Sequence, residues 1–107
     1  MTPITRSRHK SRPQLVQCAR NAEHALHELR TNETCQQLPS ELRVKAQALL
    51  DTIVRQGSGR LMELSQPAIN QRLIKVQGQL AQLLQIRSLS FAPVRDYLLD
   101  IARVLKE

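Results

Sequence analysis

The chain has 107 residues, a formal net charge of +7, a pI near 10.5 and only 2% aromatic residues. That length holds one domain with one modest, aliphatic core, and two cysteines are too few for a disulfide framework. No apolar run suits a signal-peptide core or a membrane span, so the expectation is a soluble, reducing, cytoplasmic setting with both thiols free.

Residues 1–12, MTPITRSRHKSR, carry Arg6, Arg8, Lys10 and Arg12 and no acid, which is more than half of the net charge. The expectation is a disordered basic arm, 1–12, ahead of a single helical domain, 13–107. Four cations neutralise about four phosphates and would give salt-sensitive, sequence-independent binding. No aromatic interleaves them to stack on bases, so a solvated terminus is the plainer expectation. The arm also has the Arg/Ser bias of a transit peptide but lacks its apolar spacing.

Pro13 suits the first turn of a helix, where its missing N–H costs nothing. The helix is predicted to run to about Thr31, with Leu15, Cys18 or Ala19, Ala22, Leu26 and Leu29 as its stripe. His24 and His27 each have a glutamate four residues away, Glu28 and Glu23. Such a face offers groups to a metal, but isolated i,i+4 pairs explain the spacing equally well. No metal site is therefore assigned. Thr31 to Leu38 reads as a polar connection in which Cys35 is the more exposed thiol, whereas Cys18 faces the core.

Ser40 is predicted to cap a second helix, 40–56, with Leu42, Ala46, Leu49, Leu50, Ile53 and Val54 on its apolar face. Gly57 is the expected C′ stop, and a short helical turn follows at 60–64. Ser65 then caps the longest helix, 67–88, with Pro67 in its first turn. Ile69, Leu73, Val76, Leu80, Leu83 and Leu84 recur at three- and four-residue steps on one side of a rod about 33 Å long. Gly78, inside it, marks either a close helix crossing or a tolerated residue on the wet side. A last helix, 92–106, carries Val94, Tyr97, Leu98, Ile101, Ala102 and Leu105, with Phe91 as the plug of the preceding turn. Short connections favour antiparallel neighbours. The predicted fold is all-α: a small up-down helical bundle of four main helices plus one short helical turn.

Leu64-Ser65-Gln66-Pro67-Ala68-Ile69, followed by Arg72-Leu73 and Lys75-Val76, resembles the start of a recognition helix in metal-responsive winged-helix repressors. The resemblance implies that Ser65, Gln66, Asn70, Gln71 and Lys75 face DNA, with Arg60 and Arg72 near phosphates. It covers about a tenth of the chain, and three departures exclude the family itself. Gly57-Ser58-Gly59 interrupts the preceding helix, residues 89–107 read as helix rather than a hairpin wing, and the long helix keeps its stripe for about six turns. A wingless helix-turn-helix-like contact is what remains of it.

No glycine-rich phosphate loop, nucleophile elbow or metal quartet is present in the sequence. The expectation is a non-enzymatic protein-interaction or regulatory module, acting on a protein partner or as a homo-oligomer. It has no catalytic residue, no cofactor, no small-molecule substrate and no membrane partner. The alternative is DNA binding through the basic arm and the Ser65–Lys75 surface.

Overall fold

In the computed structural model, the backbone is described for residues 3–107 and the side chains for residues 11–90 and 92–107. Five α-helices form: α1 (Pro3–Thr31), α2 (Glu33–Gln36), α3 (Ser40–Gln56), α4 (Gln66–Leu84) and α5 (Arg95–Lys106). Two 3₁₀ turns, Leu61–Glu63 and Arg87–Phe91, lie before α4 and α5, and no strand occurs among the described residues. The four long helices make a small helical bundle. α1 packs along α3 and α5, α3 along α4, and α4 against α5, while α1 also meets α4.

The leucine stripes are what closes this bundle. Leu15, Cys18, Ala22 and Leu29 of α1, Leu50 and Ile53 of α3, Ile69, Val76 and Leu83 of α4, and Leu98 and Ile101 of α5 join one aliphatic core. Cys18 and Ala19 are both buried, because small alanines let α1 lie close to its neighbours and widen its covered face. Each buried leucine or isoleucine contributes about 1.5–3 kcal/mol relative to exposure, so the stripes supply the main driving force. Gln14 adds a polar tie, donating from Nε2 to the Val104 carbonyl at 2.9 Å and joining α1 to the end of α5.

Several boundaries differ from those the sequence suggests. α1 is traced from Pro3, where an unstructured arm was expected, so Pro13 lies inside the helix. Ser11, only 6% exposed, and Arg12, bonded to the segment after α3, carry the packed part of α1 ahead of Pro13. The side chains of Arg6, Arg8 and Lys10 lie outside the described residues, as does that of Phe91, the expected plug.

The polar connection after α1 folds into the single turn α2. Asn32 caps it, its side chain accepting from the Thr34 N–H at 2.9 Å. That turn swings Cys35 inward until it is as fully buried as Cys18, where the sequence suggests the more exposed of the two thiols. At the start of α3 the cap position belongs to Pro39, and Ser40 is already helical. Gly57 ends α3 at φ −97°, so it is not the left-handed stop; Gly59 takes the positive φ, 87°. α4 stops at Leu84 because Ile86 turns extended to bury its side chain, and α5 begins only after the Pro93-Val94 turn. Gly78 is exposed with open space around it, so it marks no helix crossing.

Candidate functional site

The segment from Gly57 to Leu64 is short, contains two glycines and has only one helical turn of its own. Arginines from the flanking helices hold it. Arg72 on α4 donates from Nη1 to the Gln56 and Ser58 carbonyls at 3.0 and 3.2 Å. The Gln56 carbonyl ends α3, where the helix dipole favours a cation and intrahelical donors have run out, and that of Ser58 lies two residues beyond. From the other side, Arg12 on α1 donates from Nε to the Leu61 carbonyl at 3.1 Å and from Nη2 to the Leu64 carbonyl. Both arginines are half-buried. Charge-assisted bonds of this kind are about twice as strong as neutral ones. Arg12 and Arg72 were read from sequence as nucleic-acid contacts, but here their guanidinium groups are engaged in fastening the connection.

Gly57 lies against α1. A Cβ at this position would come within 2.3 Å of the Leu15 carbonyl oxygen, so only glycine lets the end of α3 approach α1 this closely. The 3₁₀ turn that follows has three residues per repeat. It buries Leu61 and turns Met62 outward, where it is 86% exposed, the most open large apolar side chain among the described residues.

Between α1 and this connection runs an open groove of about 770 Å³. Its lining includes the apolar Pro13, Val16, Leu61 and Met62 and the charged Arg12, Arg20, Arg60 and Glu63. Arg60 and Glu63 approach each other at 3.5 Å, both widely exposed, a contact worth little in water. Arg20 is exposed and joins no ion pair among the described residues. A smaller apolar groove, about 280 Å³, lies between α4 and α5 and includes Leu80, Leu84 and Leu105.

The remaining sequence-predicted contacts sit on the first turns of α4. Ser65 caps the helix, its hydroxyl accepting from the Ala68 N–H at 3.3 Å. Gln66 donates to Asn70 Oδ1 at 2.9 Å, while Asn70, Gln71 and Lys75 are exposed. Ser65, Gln66, Asn70, Gln71 and Lys75 thus run from the N-cap to the middle of α4, and at about 100° per residue they spread around the helix rather than share one face. The structure places Arg12 and Arg72 in structural bonds and Arg60 on the groove.

The histidine cluster separates. His24 stacks on Tyr97 of α5, ring centroids 5.6 Å apart and planes at 23°, and Glu28 Oε1 accepts from Asn32 at 3.4 Å. No group of three His, Cys, Asp or Glu side chains suited to a metal occurs among the described residues. Both thiols are free and buried, and burial pushes Cys18 up to about 12. Burial raises Cys35 as well, with the negative charge of Glu28 as the second cause. Neither thiol is a ready nucleophile, since the thiolate is the reactive form. No helix among the described residues is long and apolar enough to cross a membrane.

Sequence reading missed Met62 and the groove. Met62 belongs to no stripe, and the groove exists only because α1 passes residues some 45 positions later in the chain. No protein-family model, curated protein or solved structure matches this chain.

Proposed function

We propose that this chain is a non-enzymatic protein-interaction module: a rigid helical body that recognises another protein chain at the groove between α1 and the Gly57–Leu64 connection, and that self-associates in a cytoplasmic setting. The observation that carries this reading is the groove itself, lined by apolar and charged side chains together, with Met62 held out to solvent. Interfaces combine apolar contact with polar and charged groups in this way. Methionine adds an adaptable surface, since its unbranched thioether repacks against differently shaped partners. Further aliphatic side chains, Val44, Ile74 and Leu84, are 64%, 64% and 48% exposed and give self-association a surface. The ion pairs Asp51–Arg55 and Asp100–Arg103 are local, exposed helix pairs, which suits a structural rather than a catalytic use of charge.

The test is capture from a cell extract on immobilised full-length chain, with and without nuclease, compared with a Met62→Lys variant. Protein capture that survives nuclease and falls at least fivefold in the variant is the expected result. Capture that nuclease abolishes would instead favour the second reading, DNA contact through the exposed Asn70, Gln71 and Lys75.

A further inference from the structure

The groove differs from an ordinary apolar cleft in its charge. Three of its lining residues are arginines and one is a glutamate. Arg12 spends its donors on the Leu61 and Leu64 carbonyls, yet its positive charge still stands at the groove. Arg20 and Arg60 are exposed, and Arg60 has only a long contact to Glu63. Between these cations lie Val16, Leu61 and Met62.

We infer that the occupant of the groove is an acidic segment of another protein, seating one or two large apolar side chains on Val16, Leu61 and Met62 while its carboxylates meet Arg20 and Arg60. This inference rests on the interaction reading above and names the partner's chemistry. Arginine suits carboxylates because its planar fork pairs with both oxygens. A nucleic-acid strand fits less well. It would leave the apolar side chains of the groove uncovered, and among the described lining residues there is no aromatic ring on which a base would stack. Nor does a purely apolar segment suit the site, since it would cover Arg20 and Arg60 without supplying counter-charges. A carboxylate on Arg60 displaces only the weak, exposed Arg60–Glu63 contact, and Glu63, itself exposed, turns away into solvent.

The test uses four fluorescein-labelled probes on the full chain. The first is an acidic helical peptide, rich in Glu, with Leu at i, i+3, i+4 and i+7. The second replaces those Leu by Ser, the third replaces Glu by Gln, and the fourth is a random single-stranded DNA of about twenty bases. Affinity is read by anisotropy, and the binding face by amide shifts in ¹⁵N spectra. The first peptide is expected to bind and to shift amides within 14–20 and 57–63. Loss of its leucines or of its charge is expected to weaken binding at least about tenfold. The double change Arg20→Glu with Arg60→Glu is expected to cost a similar factor. Lys45→Glu with Arg87→Glu, which alters net charge equally at exposed sites off the groove, is expected to stay within about twofold. Circular dichroism confirms that each variant is folded.

Equal binding by the serine peptide or by DNA, relative to the first peptide, would overturn the inference, because charge alone would then suffice. Equally tight binding of the glutamine peptide at the groove would overturn the acidic partner and leave the interaction reading standing. If no peptide shifts the groove amides, both the partner and the groove are wrong.

Discussion

Gly57 and Leu15 approach so closely that a Cβ on the glycine would lie 2.3 Å from the Leu15 carbonyl oxygen, and 2.6 Å from the Ala19 Cβ. Backbone on one side and a methyl on the other leave no flexible atom to move aside. Gly57→Ala is therefore expected to push α3 from α1 and to lower stability by about 1–3 kcal/mol. Gly78→Ala is the contrasting control. Nothing lies within 4 Å of the position, so the change is expected to stabilise α4 by up to about 1 kcal/mol. Urea unfolding checks both, as opposite shifts of midpoint at constant slope.

The arginine fasteners make a second expectation. Arg72→Met keeps much of the stem but removes the donors to the Gln56 and Ser58 carbonyls, and is expected to cost about 1–3 kcal/mol. Arg12→Met does the same to the carbonyls of Leu61 and Leu64. Both act on one short segment, so the double variant is expected to be non-additive by about 0.5 kcal/mol or more. Strict additivity in thermal or urea unfolding would show that the two arginines hold independent parts.

The leucine stripes, and with them the helical bundle, are legible because a period of 3.6 residues is local information: Leu80 and Leu83 identify the buried side of α4 without reference to any other helix. The cap at Ser65 is local too, and it forms as the sequence implies. What escapes is anything decided by distant chain. Arg72 reads as a phosphate contact until the end of α3, sixteen residues earlier, is seen to need donors. Arg12 meets residues about fifty positions away. Cys35 is an intermediate case. Asn32 followed by Glu33 is a readable helix start, and recognising it would have turned the expected loop into the turn that buries the thiol. Gly57 was read as a conformational stop, whereas its close approach to α1 depends on a tertiary contact.

Alkaline pH is expected to loosen the fold through its thiols. The folded chain holds the Cys18 proton up to about 12, above the ordinary 9.0, whereas the unfolded chain releases it near the ordinary value. Protons therefore leave on unfolding between about pH 9 and 12, and stability falls there by up to about 1.4 kcal/mol per pH unit. Below that window the contribution is fully present. Cys35, raised in the same direction, adds to the trend. Cys18→Ala removes its part, so the stability gap between wild type and variant should narrow as pH rises from 8 to 11. A constant gap would show that Cys18 does not titrate with unfolding.

Ser65 separates a structural role from a DNA-facing one. Its hydroxyl accepts from the Ala68 N–H, so Ser65→Ala is expected to cost about 1 kcal/mol, and Ser65→Asp to retain the cap. Asp would oppose a phosphate backbone. Unfolding and a DNA titration on the same two variants distinguish the roles: a cap alone predicts that Asp restores stability and that neither change alters DNA binding.

The central claim is that this body meets other protein chains rather than nucleic acid. Light-scattering mass of the full chain, alone and with a random DNA duplex, at about 50 mM, 150 mM and 1 M salt, tests it most directly. The account predicts a multiple of 12.2 kDa that does not change with salt and takes up no duplex near 150 mM salt. A 12.2 kDa monomer that joins the duplex at low salt, with affinity falling log-linearly as salt rises, would contradict it.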